Sequence, residues 1–164
     1  MKSSVLAAAL GLAAAPALAQ GAFVEFRALT PELAQRAAVA AMEHCRAEGY
    51  QVGVTVSDRF GVPQVFVRDR LAGAHVHETS LRKAWTAVSF RTPTTELAES
   101  TKAGTEASGI RHLSQALPLG GGLMILAGDG DVVAGIGVSG APSPALDDVC
   151  AEAGIAAIEM DIAF

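Results

Sequence analysis

The chain has 164 residues, 51% of them hydrophobic, enough for one domain with a real buried core. Its 12 Lys+Arg against 17 Asp+Glu give a net charge of −5, which argues against nucleic acid or an anionic lipid surface as the main partner. Beyond the N-terminus no segment is long and apolar enough to span a membrane.

Met1-Lys2 is a short basic start, residues 5–15 are apolar, and Ala17-Leu18-Ala19 supplies an A-x-A cleavage site. Residues 1–19 therefore read as a secretory signal peptide cleaved after Ala19, and residues 20–164 as a single domain working in the periplasm or outside the cell. No Cys follows the cut, which argues against a lipid anchor. The mature chain keeps 11 Lys+Arg against 17 Asp+Glu, a net of −6.

Residues 21–28 form a leader carrying Phe23, Val24 and Phe26, either a loose arm or an added edge strand. Thr30-Pro31-Glu32 starts a helix, with Thr as N-cap, Pro at the first helical position and an acid in the first turn. The helix runs to about residue 48, where Gly49 ends it, and Ala34, Ala38, Ala41, Met42 and Cys45 give it a side suited to close packing on a sheet. Val52, Val54 and Val56 alternate as in a half-buried strand. Asp58-Arg59-Phe60-Gly61 turns the chain, and residues 62–68 return with Val65 and Val67 opposite Phe66 in the pleat. Pro63 falls near the start of that strand, where a missing N–H does least harm.

A loop follows, then a helix from His75 to about Phe90. Thr92-Pro93 opens a shorter helix, and Gly104 and Gly109 break the segment that leads to Leu117. Residues 118–144 hold eight of the 17 glycines. Gly128-Asp129-Gly130-Asp131 is a turn between two apolar runs, which predicts a second antiparallel hairpin. Gly120, Gly121, Gly122, Gly135 and Gly137 leave little side chain on one face, where another backbone, a second subunit or a flat ligand could approach. Ser143-Pro144 opens the last helix, whose expected buried stripe is Leu146, Val149, Cys150, Ala153 and Ala157. Helix, hairpin, helices, hairpin, helix is an α+β order, with helices covering an antiparallel sheet.

Cys45 and Cys150 fall on the apolar sides of two helices expected on the same sheet, in an oxidising compartment, which predicts a disulfide; two buried free thiols are the alternative. On the middle helix His75, Thr79, Arg82 and Thr86 are spaced i, i+4, i+7, i+11 and share one face, flanked by Lys83. That polar stripe is either a solvated face or a cradle for a flat anionic ligand whose carboxylates pair with Arg82 and Lys83. His75 and His77 fall about 200° apart on a helix, which argues against their sharing one metal. His44 reads as a packing residue, and Tyr50 and Met124 as sheet residues whose oxygen and sulfur are able in principle to ligate iron. No Ser/His/Asp set or G-x-S-x-G is present, the GGG run lacks the G-K-[ST] of a P-loop, and Gly135-Ile136-Gly137-Val138-Ser139-Gly140 lacks a βαβ context.

LPLGGG, GDVVAGIGVSGA and LDDVCAEAG, with KAWTAVSF upstream, resemble the signature blocks of the GlcG/HbpS family, which includes the PduO C-terminal domain. The likeness runs over about residues 29–158. It implies a profilin-like antiparallel sheet of about five strands and a symmetric homo-oligomer. It also implies haem, or alternatively a corrinoid, as ligand. Carried over, it points to Lys83 and Thr86 beside the haem, with His75 as local candidate for the iron. The function implied is haem storage, sensing or transfer. The rivals are a haem-degrading or corrinoid-related enzyme, and a ligand-free accessory subunit of a system oxidising alcohols or hydroxy acids.

Overall fold

The structure is a computed structural model, and it describes residue 21 and residues 23–164. The expected signal peptide, residues 1–19, lies outside the described residues. Eight regular elements follow in chain order: α1 (Pro31–Ala47), β1 (Gly53–Asp58), β2 (Pro63–Arg68), α2 (Val76–Phe90), α3 (Thr94–Ser100), β3 (Gly122–Leu126), β4 (Val132–Ser139) and α4 (Pro144–Ala156). Short 3-10 turns occupy Glu106–His112 and Glu159–Asp161. The two N-caps read from sequence are in place: Thr30 accepts from the Leu33 N–H and Ser143 from the Leu146 N–H, satisfying donors that a helix start leaves free.

The four strands form one antiparallel sheet in the order β2-β1-β4-β3. The α+β architecture is as expected, but four strands stand where the resemblance implied about five. The leader does not supply the fifth. Residues 23–28 pair with no strand; Phe26 packs edge-on against Phe60, and Arg27 forms an ion pair with Asp129 in the β3–β4 turn.

The pleat sorts the sheet into two unlike faces. Val54, Val56, Ile136 and Val138 join Ala34, Ala37, Ala38, Ala41 and Ile158 in the main core, under α1 and α4. The other face carries Gly53, Thr55, Ser57, Gly135, Gly137 and Ser139, and α2 covers it. A Cβ on Gly137 would lie 2.0 Å from the Ser80 carbonyl oxygen, and one on Gly135 2.8 Å from that of Ala84. These glycines exist so that the α2 backbone can lie against the sheet. The close approach anticipated for a second subunit or a flat ligand is made by a helix of the same chain.

α1 and α4 pack side by side and are joined by the Cys45–Cys150 disulfide, with Cα atoms 5.5 Å apart. The stripe expected on α4 is displaced. Val149 is exposed, and the buried line is Asp147, Cys150, Ala151 and Gly154, continued by Ile158. The displacement has two causes. Gly154 is where α4 meets the Ala37 carbonyl of α1, and a buried lysine draws Asp147 inward.

Candidate functional site

α2 is the element on which the sequence placed its candidate ligands, and its residues do three different things. Lys83 points inward. Its Nζ donates to Asp147 Oδ2 at 2.8 Å and to the Val138 carbonyl at 2.9 Å, with 1% of the side chain exposed. Burial pulls the Lys83 ammonium below the usual lysine range and pushes the Asp147 carboxyl up, and each partner's charge opposes the other's shift. This ammonium is already neutralised inside the fold, so the expectation that Lys83 meets a carboxylate of a ligand is corrected.

Thr86 is likewise internal. Its Oγ1 donates to the Arg82 carbonyl at 2.7 Å and accepts from the Leu117 N–H at 2.9 Å, and the residue is fully buried. Thr79 Oγ1 lies 2.7 Å from Ser139 Oγ. Arg82 donates to the carbonyls of Gln115 and Ala116 and pairs with Glu78 one turn back. The polar stripe is therefore neither a solvated face nor a free cradle. Much of it fastens the chain entering β3, because those backbone groups need partners where the segment leaves regular structure. Among Arg82, Lys83 and Thr86, Arg82 alone keeps part of its polar head at the surface.

His75 and His77 both lie exposed at the start of α2, with different neighbours. His75 is the residue before the helix; its ring crowds Gly73, where a Cβ would sit 2.7 Å from Nδ1. His77 stands edge-on to Phe66 of β2, ring centroids 4.7 Å apart. Farther along the same side a cleft of about 140 Å³ is lined by Gly61, Pro63, Leu81, Arg82, Trp85 and Gln115. His77, Leu81 and Trp85 are spaced i, i+4, i+8, so one edge of α2 carries an imidazole followed by two apolar walls. That spacing was readable in the sequence. What was not readable is that β2 runs beside it.

His44 is half-buried on α1, His112 is exposed on its 3-10 turn, and Tyr50 packs against the main core. Met124 lines a larger, mostly apolar groove of about 470 Å³ beside β3 and the end of α4. Among the described residues no cluster of His, Cys, Asp or Glu could hold a metal by itself, and no helix is long and apolar enough to cross a membrane.

Residues 29–156 match the family model of the haem degrading protein HbpS-like. Among solved structures, a double mutant of HbpS from Streptomyces reticuli is 42% identical, with a TM-score of 0.77 over 88% of this chain and 97% of that one. PduOC, solved as its heme complex, is 33% identical, with a TM-score of 0.74 over 80% of this chain and 95% of that one. The Klebsiella pneumoniae protein ORFY shares the fold at 24% identity, with a TM-score of 0.79 over 84% of this chain and 94% of that one. No curated protein matches. The match covers the blocks KAWTAVSF, GDVVAGIGVSGA and LDDVCAEAG together with the sheet and helices that hold them, and the chain belongs to the HbpS-like family.

Proposed function

We propose that this protein binds haem reversibly at the exposed edge of α2, after export and removal of residues 1–19. The observation that carries the reading is the 33% identity to a protein solved as its heme complex. The residues of α2 and β2 fit the group. Haem needs an axial donor, apolar walls for its ring and a cation for its propionates, and this edge offers imidazole nitrogen, Leu81, Trp85 and Phe66, and the Arg82 guanidinium. The donor comes from the histidine pair at the helix start, where the sequence favours His75. Arg82 meets a propionate with the donors its internal bonds leave free. Lys83 and Thr86 act from inside, holding α2 in place. An open site of this kind suits storage, sensing or transfer. The Cys45–Cys150 disulfide supports a periplasmic or extracellular setting.

The test is the absorbance spectrum of the purified mature protein with and without haem. A shifted Soret band that saturates at a fixed haem ratio is expected. An unshifted band leaves the corrinoid and accessory-subunit readings.

The family's description as haem degrading favours a second reading, in which bound haem is consumed. Haem supplies the redox-active iron for such chemistry, and the protein supplies the site. Loss of the band under a reductant and oxygen, with an open-chain tetrapyrrole appearing, distinguishes degradation from storage. Assembly into a symmetric homo-oligomer is proposed from the family likeness alone, since the glycines that suggested it, Gly120, Gly121, Gly122, Gly135 and Gly137, are covered by other parts of the same chain. A mass near one chain by light scattering at micromolar concentration counts against it.

A further inference from the structure

The two outer strands of the sheet are unlike. β2, at one edge, begins with Pro63 and ends with Arg68, and a proline and a charge both discourage further strand pairing. β3, at the other edge, runs from Gly122 to Leu126 with neither. The Val138 N–H donates to the Gly121 carbonyl, and the Ala127 N–H to that of Asp131. Antiparallel ladders alternate, so Leu123 and Ile125 also bond to β4, while Gly122, Met124 and Leu126 turn their backbone groups outward. Gly122 is met by Thr94, whose Oγ1 accepts from its N–H at 2.8 Å and donates to its carbonyl at 3.3 Å. Past the strand, the Gly128 N–H donates to the Ile162 carbonyl at 2.8 Å. The outward row is thus closed at both ends. Between them, Met124 and Leu126 hold out N–H and C=O groups that no partner among the described residues takes up.

This open stretch borders the groove of about 470 Å³, whose facing wall is Glu152, Ile155, Glu159 and Ile162. From Gly122 to Gly128 the edge runs about 20 Å, room for an added strand of about five residues. Glu152, Ile155 and Glu159 fall at i, i+3 and i+7 on one side of α4 and the turn after it. The two acids are exposed, about 10 Å apart along that axis, and no Lys, Arg or His lines the groove among the described residues.

We propose that the β3 edge accepts an extended segment of another protein as a fifth strand, an apolar segment with Lys or Arg at positions i and i+4. Those positions lie on one face of a strand about 13 Å apart, so two long cationic side chains reach Glu152 and Glu159 while the side chain between them meets Ile155. The backbone of Met124 and Leu126 supplies the pairing, and the acids select the sequence. The same acids oppose a second copy of β3 here, because a two-fold axis would bring Glu152 and Glu159 against their own copies. The site is at the opposite edge of the sheet from the α2–β2 edge proposed for haem, and it does not depend on haem.

The experiment is a calorimetric titration of the full mature protein, free of haem, with the capped pentapeptide Lys-Val-Ile-Val-Lys. Saturable one-to-one binding that weakens with added salt is expected. The peptide with Glu in place of both Lys should bind at least about tenfold more weakly, and so should the Lys peptide N-methylated throughout, whose backbone cannot donate. Glu152→Lys with Glu159→Lys should weaken binding of the Lys peptide by about as much. Both side chains are exposed, so this variant folds, and far-ultraviolet circular dichroism checks that it does. Leu126→Pro, which removes an outward N–H that the fold does not use, should also weaken it. No saturation at millimolar peptide overturns the proposal, as does equal binding of the Lys and Glu peptides or binding that survives N-methylation. A dimer by light scattering that excludes the peptide and that Leu126→Pro converts to a monomer gives the edge to a second copy, and overturns it too.

Discussion

Lys83 Nζ is held 2.8 Å from Asp147 Oδ2, across the end of the sheet that separates α2 from α4, with both side chains almost wholly buried. The same Nζ donates to the carbonyl of Val138. One ammonium thus joins three sequence blocks, KAWTA, GVSGA and LDDVC, that lie far apart in the chain. Asp147 Oδ1 accepts from the Ala141 N–H, and its neighbour Asp148 accepts from Gly121 N–H and bonds Thr95. The blocks that mark the family meet at a structural clamp. That is why they are specific for the family and say less about its chemistry.

Removing one half of this pair should be costly. Lys83→Met leaves the Asp147 carboxylate buried without its counter-charge, for which about 3–5 kcal/mol of stability is the expected loss. The double variant Lys83→Met with Asp147→Leu should recover much of that, because no unpaired charge remains. Urea unfolding of the two singles and the double gives the coupling. Strict additivity would rule out the clamp. At temperatures where it is folded, Lys83→Met should keep its haem affinity, since the ammonium faces the interior and not the surface of α2.

The small side of the sheet should tolerate no methyl under α2. Gly137→Ala pushes a Cβ into the Ser80 carbonyl, and overpacking of that kind costs about 1–3 kcal/mol. Gly109→Ala, where a Cβ meets nothing within 4 Å, should change stability by less than about 0.5 kcal/mol. Thermal melts of both decide it. Equal effects would mean that α2 does not lie against β4 as described.

The disulfide should carry a large share of the stability. It closes a loop spanning 105 residues, for which the chain-entropy treatment gives an upper figure of about 4.7 kcal/mol. Cys45→Ser with Cys150→Ser should lower the urea midpoint, and denatured, unreduced protein recovered from an oxidising compartment should titrate no thiols. Two titratable thiols would refute the bridge.

Acid should weaken the tie between α1 and β2. Arg46 Nε donates to Asp69 Oδ2 at 2.7 Å, and this hydrogen bond holds the buried Asp69 carboxyl below its usual range, against the opposing effect of burial. A carboxyl lowered in the folded state contributes stability that is complete above its unfolded value of about 4 and is lost as pH falls through the folded value. Unfolding midpoints at pH 7 and pH 3 should therefore differ less in Asp69→Asn than in the wild type. An unchanged difference would show that this pair is not coupled to folding.

The elements of the fold were legible because each has a local cause. Thr30 and Ser143 cap their helices, Pro31 and Pro144 fit the first helical position, and the valines at 52, 54 and 56 keep a period of two. The Cys45–Cys150 bridge could be read because each cysteine sits on the apolar side of its own helix, and two helices on one sheet face are neighbours. The α2 stripe was legible as polar, but not as inward-facing. Which face of α2 is buried depends on what fills the space beneath it, and the space is opened by Gly135 and Gly137, some fifty residues later. Sequence alone fixed periods, caps and turns, which are set by a residue and its near neighbours. Only the tertiary structure decided that Lys83 is a clamp and that His77 stands against Phe66, because both are meetings between strands and helices whose sequence separation carries no record of contact.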